Sequence, residues 1–311
     1  MYSSDIFFQE MFVLYGMALL GFLIRKKGIL NEHANDVLTQ LILNITLPAL
    51  ILFSLDISFS YTIAKEFLWL VSMSAYILLL SILLAIWMSR RSILDGNQKS
   101  VYQGLIIFGN QGFIGYAVVY ILLGEQGIIY LTIFNLCYLI LIWTYGIYLF
   151  NKGTEVINWR KIFMNPGILF TLTGLLIFFL PVHLPDMLSR GLESVGKMTV
   201  PLSMMMIGLL IADVKRKDIS IFVKNIYLWK ASFIRLLLIP MLLLPFALLT
   251  IPYPLLVIAV LVSGMPAAPT ISLYAQKYNA DTSFSSLGVL FSTLLCMITI
   301  PFLYFVLTFI N

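Results

Sequence analysis

Two short runs of this sequence combine helix-breaking residues with side chains able to bind a small polar ligand. The first is Gly109-Asn110-Gln111-Gly112-Phe113-Ile114-Gly115. The second is Gly264-Met265-Pro266-Ala267-Ala268-Pro269, which begins 155 residues later. Asn110 and Gln111 each present amide donors and an amide acceptor. Asn44, Asn135, Thr270 and Ser292 add further amides and hydroxyls to apolar stretches. In a dry site several such groups can hold a carboxylate without a permanent counter-charge. A helix that restarts after a break adds free N–H groups and the positive end of its dipole, which suits an anion. The competing role for polar residues in apolar helices is interhelical glue, worth about 0.6 kcal/mol on average. Ser263, Ser272, Ser203 and Thr270 fit that role, and Asn44 with Pro48 also reads as a proline kink carrying a satisfied amide.

The elements that must position these residues are membrane spans. Of 311 residues, 61% are hydrophobic and 11% charged, against roughly 25% charged in soluble domains. Apolar runs of about 20 residues, the length that crosses a bilayer, follow one another along the chain. Ten are expected: 6–24, 37–55, 67–89, 101–123, 127–150, 167–180, 192–212, 226–249, 254–275 and 284–310. The fold class is therefore an all-α polytopic membrane protein. Breakers in mid-span expose backbone groups that hydrocarbon cannot satisfy, so the breaks must be buried in protein or line an aqueous cavity. A pair of them in corresponding positions of two halves points to the binding site of a secondary transporter. Gly109, Gly115, Gly264, Pro266 and Pro269 are the residues expected to shape that crossing, with Gly112 beside them.

The net charge of +5 follows the membrane and is no nucleic-acid footprint. With the N-terminus outside, odd-numbered loops hold 15 of the 19 basic residues, including Arg25, Lys26, Lys27, Arg90, Arg91 and Lys215 to Lys217. That asymmetry predicts a multi-pass plasma-membrane protein with both termini outside. Asp5 and Glu10 open the first span and no small-residue cleavage site follows it, so it does not read as a signal peptide. Trp69, Trp87, Trp159 and Trp229 near span ends read as interfacial anchors.

Splitting the chain at 151–165 gives two five-span halves, 1–150 and 166–311. Because five is odd, the second half enters with opposite polarity, which makes homologous halves an inverted repeat. Three ordered landmarks agree: Thr46-Leu47-Pro48 with Thr199-Val200-Pro201, the two breaks, and Phe134-Asn135 with Phe291-Ser292.

Carboxylates stay at loops and span ends, with Glu10 the nearest to an exception. Carboxylate-based ion coupling is thereby disfavoured, although carbonyls at broken helices can hold sodium. Arg235 is the one basic residue well inside a span. It either snorkels or joins a structural ion pair, or it is a counter-ion for an anionic substrate. His33 and His183 carry no metal-ligand pattern, Cys137 and Cys296 form neither a disulfide nor a metal framework, and no enzyme motif occurs. No cofactor or metal is expected, and the chain does not read as an enzyme.

These residues resemble the auxin efflux carrier family, whose bacterial members include malate and malonate permeases. The resemblance covers essentially the whole chain. It rests on Asn44-Ile-Thr-Leu-Pro48, Phe108-Gly-Asn110-Gln-Gly112-Phe-Ile-Gly115-Tyr116 with Leu123-Gly124-Glu-Gln-Gly127, and Asn165-Pro166. It rests further on Met265-Pro266-Ala-Ala, Ala275-Gln-Lys-Tyr278-Asn-Ala-Asp281 and Leu290-Phe-Ser-Thr293-Leu-Leu. It implies ten helices in two inverted repeats, helices 1, 2, 6 and 7 as scaffold and helices 3 to 5 and 8 to 10 as a moving transport domain. Broken helices 4 and 9 would cross beside the substrate, a fold shared with bile-acid-type transporters. By position, Asn110 and Asn135 match site residues and Pro266 the crossover proline. Where the family usually has Gly-Tyr-Pro, this chain has Gly115-Tyr116-Ala117, so opening of the fourth helix falls to its glycines. The expected function is elevator-type carriage of a small organic anion, malate-, malonate- or auxin-like. A sodium-coupled symporter and a receptor that binds without moving its ligand are the alternatives. A homodimer through the scaffold helices in the lipid bilayer is also implied.

Overall fold

The computed structural model describes residues 4–31, 33–56, 61–151, 166–180, 183–213 and 216–309. Six helices among them are long and apolar enough to cross a membrane: Ala34–Leu55, Lys65–Arg90, Gln111–Asn151, Asp186–Ala212, Ile226–Leu248 and Thr282–Thr308. Among the described residues there is no β-strand, only one isolated bridge. Hydrocarbon demands this, because a helix satisfies its backbone internally and an open strand does not. The protein is a multi-pass membrane protein. Large apolar side chains such as Leu79, Leu83, Ile140 and Ile298 point outward, over half exposed, as lipid-facing residues do.

Of the four expected spans missing from these six, the first is the Ser4–Lys26 helix and the other three have a local cause. The broken spans divide into pieces too short to cross alone, Gly96–Ile107, Tyr253–Ser263 and Thr270–Lys277. The sixth span is the short Pro166–Phe179 helix. The later part of the fourth span and the fifth run on as Gln111–Asn151, bent at Gly124 with φ 60° and ψ −137°. Such a backbone is open to glycine and strained for other residues. The linker expected at 151–165 lies, beyond Asn151, outside the described residues, as does the side chain of Glu10.

By packing, the chain forms two compact units. The first comprises Met1–Leu68, Gly112–Ile133 and Asn158–Asp213. Its central feature is the pairing of Ser4–Lys26 with Thr199–Ala212. A Cβ on Gly21 would stand 2.1 Å from the Met205 carbonyl oxygen, and one on Gly208 would stand 1.9 Å from that of Ala18. Helices associate this closely in lipid through small residues, because apolar surface gives no net drive there. Arg25 closes one end of the pair by donating from Nε to Asp213 at 2.8 Å. In the same unit a groove of about 670 Å³ is lined by Asn44, Ile45, Phe170, Met187, Leu188 and Val195 among others.

The second unit comprises Trp69–Gln111, Phe134–Ile157 and Val214–Asn311. The Gly96–Ile107 helix packs there against Thr282–Thr308 and Ile226–Phe233. Its N-terminus is capped by Asp95, whose carboxylate accepts from the Gln98 N–H at 2.8 Å. Both helix breaks meet in this unit.

Candidate functional site

The Gly96–Ile107 helix ends because Phe108 turns to an extended conformation, φ −100° and ψ 113°. Gly109 then pairs with Ala267 in an antiparallel bridge. The Asn110 N–H donates to the Pro266 carbonyl at 2.6 Å, and the Ala268 N–H donates to the Phe108 carbonyl at 2.9 Å. The two breaks thus satisfy one another through the main chain. Pro266 and Pro269 bring no N–H to this stretch, which lowers the number of donors to be paired. Side chains hold more of it. The Tyr138 hydroxyl donates to the Gly109 carbonyl at 2.8 Å. The Ala267 N–H donates to Ser292 Oγ at 3.1 Å, and that hydroxyl donates on to Val289.

Arg235 is the centre of the arrangement. It sits on a π-helical turn, Ile234–Leu238, upstream of Pro240, whose missing N–H breaks the regular ladder there. The side chain is 2% exposed. Its Nε donates to the Met265 carbonyl at 2.8 Å, and Nη1 donates to the carbonyls of Ile107 at 3.0 Å and Ile106 at 3.4 Å. Nη2 finds no acceptor, and no acidic side chain pairs with Arg235, among the described residues. The buried guanidinium does not snorkel, and it forms no ion pair among the described residues. The guanidinium is solvated by carbonyls that two broken helices leave unused.

Gly109 is small for a reason of space. Its φ is not in the left-handed region. A Cβ there would stand 1.9 Å from Arg235 Nη2, so glycine is what lets the guanidinium reach the carbonyls. The unwound residues are Phe108 to Asn110, and Gln111–Gly115 is already π-helical. The fourth-helix break is thus narrower than the glycine run suggests. Gly112 has only ordinary van der Waals room at its Cβ position, 3.8 Å from Leu47. Ala117 lies in regular helix and is fully buried.

The second unit brings together Gly109, Asn110, Gln111, Asn135, Arg235, Gly264, Pro266, Pro269, Thr270 and Ser292. Asn110, Gln111, Asn135 and Ser292 are buried, Thr270 half-buried. Gln111 Oε1 and Asn135 Oδ1 are buried without a partner among the described residues. Because an amide carries both donors and an acceptor, each can turn either to a ligand. Gly112, Gly115 and Asn44 belong to the first unit. Asn44 is exposed and lines the apolar groove there. Tyr138 was not among the expected residues. Its position three after Asn135, on the same helix face, is the sequence signal for it.

The geometry is that of two interrupted helices bridged around a buried cation and amides. Comparison with known families gives the same direction. A family model described as membrane transport protein matches residues 6–158 and again 154–304. The chain belongs to this membrane transport protein family, that of the auxin efflux carriers. Membership supports a membrane transporter and points away from an enzyme. The chain is also 25% identical over 202 residues to a protein of Methanocaldococcus jannaschii named as an uncharacterized transporter. That match covers 62% of this chain and 65% of the relative. Substrate and mechanism are not carried by either similarity.

Proposed function

We propose that this membrane transporter carries a small organic anion, a carboxylate of malate, malonate or auxin type, by elevator-like alternating access around the crossing breaks. The observation that carries the anion class is Arg235. It is a buried guanidinium, and no acidic side chain pairs with it among the described residues. Carbonyls solvate the guanidinium without supplying a formal negative charge, which supports an anion as the ligand. Asn110, Gln111 and Asn135 supply neutral hydrogen-bonding groups around it, with Ser292 and Thr270 alongside.

Ten helices in two inverted repeats, 1–150 and 166–311, remain the architecture we propose, with 151–165 as the cytoplasmic linker. The paired breaks and the similar sequence landmarks support it. The unit holding both breaks is our candidate for the moving part. The basic-residue asymmetry supports both termini outside the plasma membrane, and the resemblance to the family supports a homodimer through the scaffold helices.

The test is uptake by proteoliposomes of labelled malate, malonate, citrate and indole-3-acetate. One of these is expected to accumulate above empty vesicles. The combined Asn110→Ala and Asn135→Ala variant is expected to lose that uptake while eluting as a folded protein. Full uptake by the folded variant removes the site assignment, and saturable binding without counterflow favours a receptor.

A further inference from the structure

A helix ends with carbonyl groups that no later N–H satisfies, and they form the negative pole of its dipole. Gly96–Ile107 ends that way inside the second unit. The Val260, Leu261 and Val262 carbonyls of Tyr253–Ser263 instead accept from Gly264 and Met265, and the unwound carbonyl there is that of Met265. In transporters with broken helices, such ends and the unwound carbonyls beside them are where a coupling sodium ion or proton is held. Here a side chain stands in that place. The carbonyls of Ile106 and Ile107 come from the first end, and that of Met265 lies two residues past the second. All three accept hydrogen bonds from Arg235.

We infer that Arg235 is a tethered cation, filling by covalent attachment the position where this crossing would otherwise bind a small free cation. Gly109 provides the space, since any Cβ there meets the guanidinium, and the π-helical turn provides the aim. An arginine is the side chain suited to several carbonyls at once, because its donors are fixed in a planar fork. The role is one of positioning: the cation holds the two broken ends against each other. The inference concerns the same site as the anion reading but does not depend on which anion is carried.

The experiment uses purified full-length protein in detergent, without substrate, so its outcome is independent of any transport result. Melting temperature is measured at equal ionic strength in choline, sodium and millimolar guanidinium chloride. The wild type is expected to melt at the same temperature in all three. Arg235→Ala is expected to melt several degrees lower in choline and to recover part of that loss with guanidinium or sodium. Sodium-dependent stabilisation of the wild type overturns the inference, as does an Arg235→Ala variant indifferent to both cations. Should Arg235→Ala fail to fold, Arg235→Lys and Arg235→Gln decide it. Lysine, which keeps the charge, is expected to melt above glutamine, and the reverse order overturns the inference.

Discussion

Nη2 of Arg235 lies so close over Gly109 that a methyl group on residue 109 would stand 1.9 Å from it. The partner cannot move aside freely, because the same guanidinium is anchored on Met265, Ile107 and Ile106. Gly109→Ala is therefore expected to destabilise by about 1–3 kcal/mol, the usual range for overpacking a filled interior. The decisive measurement is a double-mutant cycle by thermal or denaturant unfolding. In an Arg235→Ala background the penalty is expected to shrink, giving a coupling of about 0.5–3 kcal/mol. An undiminished penalty shows that the two residues are not in steric conflict.

Tyr138→Phe removes one atom from the crossing. The ring's edge-on packing with Phe108, at 6.0 Å between centroids, is retained, but the Gly109 carbonyl loses the Tyr138 hydroxyl and keeps only the Gln111 N–H as a donor. Losing one of two hydrogen bonds to a buried carbonyl costs about 0.5–1.5 kcal/mol. Lower thermal stability and slower uptake are expected together, and wild-type values in both assays contradict the assigned hydrogen bond.

Ser292→Ala acts at the other break. It leaves the Ala267 N–H without the oxygen that now accepts from it, with a larger expected loss of about 1–3 kcal/mol. Ser292→Thr keeps a hydroxyl at that position and is expected to recover part of the melting temperature lost by alanine. If threonine and alanine behave alike, the hydroxyl is not the relevant group.

Gly112 and Gly124 separate space from conformation. Gly112→Ala has room for its methyl and sits in helix, where alanine is preferred by roughly 1 kcal/mol. A neutral or slightly stabilising effect is expected. Gly124→Ala also meets no atom within 4 Å, yet its φ of 60° imposes about 1–3 kcal/mol of strain. Unfolding of the two variants side by side checks the contrast.

Gly208→Ala tests the helix pair of the first unit. Its Cβ would press on main-chain atoms, the Ala18 carbonyl oxygen at 1.9 Å and the Phe22 nitrogen at 2.6 Å. Since backbone cannot change rotamer, the helices must separate. A marked loss of folded yield on size exclusion is expected, whereas Gly191→Ala, whose Cβ meets nothing within 4 Å, is expected to purify normally.

What the sequence made legible was chemical type along the chain. Prolines and glycines in apolar runs located both breaks, since their effect on a helix is local. Asn110, Gln111, Asn135 and Ser292 stood out because polar groups in spans are few. What it left dark was partnership. The need for glycine at 109 comes from an arginine on another helix, and nothing within a window around 109 encodes it. For the same reason the glycine run overstated the length of the break, and Arg235 was readable as a cation but not as a cap. Asn44 carries the same amide as Asn110, but the face its helix turns outward decides its surroundings. The Tyr138 hydroxyl was hidden among the aromatic residues of an apolar span.

The bridge between Gly109 and Ala267 bears on how the protein is made. A ribosome delivers the first break to the membrane long before the second exists. During that interval the Phe108 carbonyl and the Asn110 N–H lack the strand that later pairs with them, and lipid offers no substitute. The nascent amino-terminal half must therefore be sheltered, by water in the insertion machinery or by a chaperone, until residues 266–268 emerge and complete it. Truncated chains ending before that point are expected to be targets of membrane quality control rather than stable half-transporters.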